Sequence, residues 1–117
     1  MVALLIAARV FRALHDTMTH SPGEGRPGEW GPFWDSTTSW RLKYKDSDPA
    51  NGPAFPGSTT WLVALTDGWH LTNLLAWLCM GVAVVLAAYT GATLWAIGGE
   101  LAGRVVFEPV YKWARAV

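Results

Sequence analysis

Between Leu71 and Gly99 the sequence has no charged residue, and its plainly polar side chains there are Thr72, Asn73, Thr90 and Thr93. That absence excludes an ordinary surface helix, which carries charge on its outer face. It permits a membrane span, since about 20 apolar residues rising 1.5 Å each cross the hydrocarbon of a bilayer. Cysteine is nearly absent as well. The single Cys79 lies inside the apolar run, so no internal disulfide can form and the residue reads as a small buried hydrophobe. Net charge is lacking too, nine basic side chains balancing nine acidic ones. Without a basic excess, nucleic acid is not an expected partner. The sequence also has no P-loop, nucleophile elbow or CxxCH haem site. Gly23, Gly25 and Gly28 are irregularly spaced among prolines and read as turns.

What is present leans towards lipid. The chain has 117 residues, room for one domain, and 51% of them are hydrophobic against 15% charged. A core this small is marginal in water unless something else supports it. Eight tryptophans (Trp30, Trp34, Trp40, Trp61, Trp69, Trp77, Trp95 and Trp113) are spread along the chain, as suits a protein bordered by headgroups. The expected fold is all-α: a small helical integral membrane protein with amphipathic flanking helices and a Trp/Pro/Gly-rich loop, forming a single membrane domain over 1–117.

Four segments make up that domain. Residues 1–20 form an amphipathic helix, with Arg9, Arg12, Asp16 and His20 on one face. Its charges follow the apolar opening instead of preceding it, so it is not read as a signal peptide. Residues 21–58 form an irregular Trp-rich loop holding most of the prolines, with a short strand or helix near Ser39 to Tyr44. A long helix is expected over 59–98, capped by Ser58, Thr59 or Thr60 and spanning the membrane over about 71–98. Gly81, Ala87 and Gly91 on it would admit a close helix partner. The double glycine Gly98-Gly99 would end it. A C-terminal helix over 100–117 follows, supported by Glu100, Arg104, Glu108 and Lys112 at four-residue spacing and kinked at Pro109. Arg41, Lys43 and Lys45 before the span and Arg104, Lys112 and Arg115 after it leave the orientation open.

Each histidine lies near a carboxylate: His15 adjoins Asp16, His20 follows Asp16 by four, and His70 follows Asp67 by three. Residues three or four apart share a helix face, so each pair could offer an oxygen and an imidazole nitrogen to one point. Two pairs brought together would make an N/O site for a divalent transition metal such as zinc, iron or manganese. His15, Asp16, His20, Asp67 and His70 are therefore the candidate metal ligands. Asp67 and His70, with Thr66 and Asn73, also draw a polar stripe that should face protein, water or a ligand. The competing reading pairs Asp16 with Arg12, leaves His15 and His20 as solvated helix-end residues and makes Asp67 a surface turn residue before Gly68.

The succession FWD, SW, KYK, GP-F-GSTT and TDGWH, from Phe33 to His70, resembles that of small uncharacterised membrane proteins of bacteria and their phages. The resemblance implies a membrane setting and draws attention to Asp67, Trp69 and His70, but transfers no activity; the expected location is the bacterial inner membrane. Two functions are weighed: a metal site near the membrane interface, catalytic or structural, and a non-enzymatic accessory subunit of a membrane complex or homo-oligomer.

Overall fold

The computed structural model describes residues 1–116. Among them all regular structure is helical, apart from one isolated bridge between Tyr44 and Pro53, so the fold is all-α. Helix α1 spans Val2–His20, α2 is the short Gly25–Glu29, α3 spans Gly68–Thr90 and α4 spans Thr93–Arg115. Between α2 and α3 lie turns and 3-10 segments, the first at Ser39–Lys43.

The helix expected over 59–98 proves to be two elements. It does not start at Ser58 to Thr60, because the Ser58 hydroxyl is buried and donates to the Lys43 carbonyl at 2.7 Å instead of capping a helix. The cap is Asp67, in extended backbone, whose carboxylate accepts from the His70 N–H at 2.8 Å. Helix α3 ends at Gly91, which adopts a left-handed φ of 66° that a side chain would resist, and the Ala92 N–H turns back to the Ala87 carbonyl at 3.1 Å. Gly98 and Gly99, expected to break the helix, lie inside α4, which therefore begins at Thr93 and not at 100. Glycine inside a helix costs about 1 kcal/mol, but at Gly99 the cost is offset by close approach to α1. Helix α4 also continues through Pro109 as one element; Val105, whose carbonyl would have bonded that nitrogen, is well exposed. Residue 117 of the expected C-terminal helix lies outside the described residues.

Helix α1 is the middle of the molecule. It packs against both α3 and α4, which touch each other far less. Contacts fix the directions. Arg12 donates to the Asn73 side chain at 3.1 Å and His15, further along α1, bonds the Trp69 carbonyl, earlier in α3, so α1 and α3 are antiparallel. Gly99 lies against Val2 and Leu5, Gly103 against Leu5 and Arg9, and Ala114 near Thr17 through Gly25, so α1 and α4 are parallel. The extents, 51 × 35 × 16 Å, describe a slab little thicker than one helix.

Small residues make this packing possible. On α3 the buried positions are Gly68, Thr72, Ala76, Ala83 and Ala87; on α4 they are Gly99, Gly103 and Ala114. Of the stripe expected at Gly81, Ala87 and Gly91, only Ala87 is used: Gly81 and Gly91 face open space. The motif that sets the α1–α4 spacing is Gly99-x-x-x-Gly103.

Candidate functional site

Helix α1 ends, α3 begins and the Trp-rich segment folds back at one end of the slab. The segment is tied to all three long helices. Ser36 donates to the Met18 carbonyl at 2.8 Å, the Gly68 N–H donates to the Phe33 carbonyl at 2.8 Å, and Arg26 donates to the Trp113 carbonyl at 3.0 Å while its guanidinium lies over the Trp113 ring. Gly68 has no Cβ because the Trp34 ring occupies that place. Trp30 stands edge-on to Trp34 and tilted against Trp113, so the aromatics of the segment brace one end of the bundle.

A cleft of about 300 Å³ lies there, lined in part by Thr19, Ser39, Trp40, Asp67, Trp69 and His70. Asp67 is 2% exposed, and its carboxylate accepts both from the His70 backbone N–H and from the His70 ring, whose Nδ1 approaches the two oxygens at 3.0 and 2.7 Å. With a carboxylate as acceptor, Nδ1 carries the proton, leaving His70 Nε2 free to face the cleft. His15, 7% exposed, lies tilted over the Trp69 ring at 4.5 Å between centroids and donates from Nδ1 to the Trp69 carbonyl at 3.1 Å. Burial lowers the pKa of His15 below its ordinary value, against the opposing pull of the Trp69 carbonyl bond. The Trp69 indole completes the set by donating to the Thr19 hydroxyl at 2.8 Å, which itself donates to the His15 carbonyl.

The five residues read from the sequence as metal ligands are thus divided. Asp67 and His70 come together, and His15 packs nearby with its Nδ1 committed to a carbonyl. His20 is exposed at the end of α1. Asp16 approaches Arg12 at 4.0 Å and lines a groove with Arg104 and Phe107 of α4. Among the described residues no three His, Cys, Asp or Glu side chains converge as a metal site would need. The four-residue steps that placed Asp16 and His20 on one face are real, but the partner closest to that face is an arginine. Of the polar stripe, Thr66 and Asp67 are buried, Asn73 accepts from Arg12 of α1, and His70 lines the cleft.

Sequence reasoning missed a second polar group. Arg9 of α1 forms an ion pair with Glu100 of α4, and Arg12 and Arg104 stand beside it. The Gly99-x-x-x-Gly103 spacing was the available signal, because a close approach there brings Glu100 against α1. Beyond this belt the slab is apolar: Tyr89, Leu94 and Trp95 are 89%, 83% and 70% exposed, and α3 is long and apolar enough to span a membrane. Comparison with protein-family models, curated proteins and solved structures finds no match to the chain.

Proposed function

We propose that the protein is a small, non-catalytic membrane protein, an accessory or structural subunit of a larger complex or of a homo-oligomer in the bacterial inner membrane. The observation that carries this reading is the exposed apolar end of the α3–α4 hairpin. Leu78, Val82, Val85, Leu86, Tyr89, Leu94, Trp95 and Ile97 all lie at the surface. A soluble monomer rarely shows a continuous apolar patch beyond a few hundred Å². Lipid removes that surface from water without requiring any further protein contact.

The Asp67–His70 pair fits a structural role better than a catalytic one. Its carboxylate caps α3 and its imidazole adds a second tie within the same turn, while His15 and Trp69 lock α1 onto that turn. A metal-centred function would need a third ligand beside Asp67 and His70.

Flotation tests the proposal. The purified chain should rise with phosphatidylcholine–phosphatidylglycerol vesicles and remain with them after an alkaline carbonate wash. A monodisperse species in detergent-free buffer that stays at the bottom of the gradient would overturn it.

A further inference from the structure

Resting on the membrane reading, we infer that the α3–α4 hairpin enters one leaflet and returns, with Arg9, Arg12 and Arg104 at the level of the lipid phosphates. The depth at which charge begins is the key observation. Arg12 meets α3 at Asn73, and Arg9 and Arg12 line a cleft with Ala76, Trp77 and Met80. On the opposite flank Arg9 meets Glu100, and Arg104 lies one turn further along α4. The ionic belt therefore crosses the slab beside the middle of α3. A full crossing by α3 would set that belt near the bilayer midplane, where exposed guanidinium is most costly. The Arg104 side chain is 70% exposed, and the Arg9–Glu100 pair leaves Arg9 Nε and Glu100 Oε2 without a protein partner. The Arg104 guanidinium can donate to phosphate oxygens, and an ion pair with unmet polar atoms is better placed near the polar interface than among acyl chains.

Insertion from one side keeps the three arginines out of the hydrocarbon, with the apolar start of α1 at Val2 and Leu5 lying beside Gly99. From Met80 to the end of α3 at Thr90, ten residues rise about 15 Å, half of a 30 Å hydrocarbon core. Over that distance α3 has no charge, and α4 has none before Glu100. The turn at Gly91 and Ala92 then lies near the midplane, with both helices returning to the same side. The Trp-rich segment and the C-terminal end of α4, tied together through Arg26 and Trp113, remain in the aqueous phase on that side. An open groove of about 500 Å³ between the two arms, lined mainly by Leu5, Met80, Ala83, Val84, Ala96 and Ile97, gives room for an acyl chain. Anionic lipid fits the arginine belt by charge.

Single-cysteine variants decide the topology. In a Cys79→Ser background, Ala50→Cys, Tyr89→Cys and Ala116→Cys are reconstituted into vesicles of phosphatidylcholine and phosphatidylglycerol in equal parts. A membrane-impermeant maleimide is then applied to each side in turn. Ala50→Cys and Ala116→Cys should label from the same side, while Tyr89→Cys labels from neither until detergent is added and is quenched most by nitroxides near the bilayer centre. Labelling of Tyr89→Cys from the side opposite Ala50→Cys would overturn the inference while leaving the membrane reading intact. A chain that does not float with the vesicles would remove both. For the belt, Arg104→Gln with unchanged helical content by circular dichroism should weaken binding to the phosphatidylglycerol vesicles about fivefold, with binding to pure phosphatidylcholine unchanged. Equal binding of both chains to both vesicles would refute the phosphate-level placement.

Discussion

Gly98 and Gly103 offer a matched pair of identical substitutions with opposite expected signs. Both lie within α4, and alanine at either position should gain about 1 kcal/mol of intrinsic helix stability. At Gly98 a Cβ meets nothing within 4 Å, so Gly98→Ala should keep the whole gain. At Gly103 the new carbon would sit 2.6 Å from Arg9 Cγ and 3.2 Å from the Leu5 carbonyl oxygen. The carbonyl belongs to α1's own backbone and cannot step aside without moving the helix; Arg9 could move only by disturbing its pair with Glu100. Overpacking of this kind costs about 1–3 kcal/mol, so Gly103→Ala should lose about 1 kcal/mol net. The two variants should then differ by about 2 kcal/mol. At about 4 °C per kcal/mol for a domain of this size, their unfolding midpoints should lie roughly 8 °C apart, on either side of the parent chain. Thermal unfolding in detergent micelles, followed by circular dichroism, measures it. Equal shifts of the same sign would refute the helix spacing assigned to α1 and α4.

Two further outcomes concern the braced end. Because burial holds His15 below its ordinary pKa, the unfolded chain binds that proton more readily; the stability it contributes is fully present above about pH 6.5 and declines as pH falls below it towards the folded value. Unfolding midpoints measured from pH 7.5 down to 5 should fall more for the parent than for His15→Gln, and parallel curves would contradict the assignment. Asp67→Ala removes a buried cap and the acceptor for the His70 ring, and should cost about 2 kcal/mol, while treatment with a chelator should leave the parent midpoint unchanged. A midpoint lowered by chelation and restored by zinc would reinstate a metal at this end of the molecule.

The sequence was most informative where one physical demand acts alone. Freedom from charge over Leu71–Gly99 marked the apolar stretch, though not its division into two helices, and the placing of Arg9, Arg12, Asp16 and His20 on one face located α1. It was least informative where glycine serves two ends. Gly91 and the Gly98-Gly99 pair have similar local appearance, yet one turns the chain in a left-handed conformation and Gly99 lets α1 approach. Only the partner helix distinguishes them, and that partner is nearly the whole chain away. The histidine and carboxylate pairs misled for a related reason. Spacing reports which side chains share a face, but Asp16 and Asp67 are drawn apart by what faces them: Arg12 in one case, the His70 turn in the other. Asp67 could have been read as a cap from its position before Gly68, yet the serine and threonines after Gly57 offered equally good caps.

The central place of α1 carries a consequence for biosynthesis. Helix α1 precedes both of its partners in the chain, so its two flanks wait on segments translated well after it: Arg12 for Asn73, and Val2 and Leu5 for Gly99. Such remote closures are slow relative to local helix formation. During that interval the nascent chain presents a two-sided adhesive surface, so premature termination anywhere before α4 should yield a product prone to aggregation and proteolysis, even though its early segment is intact.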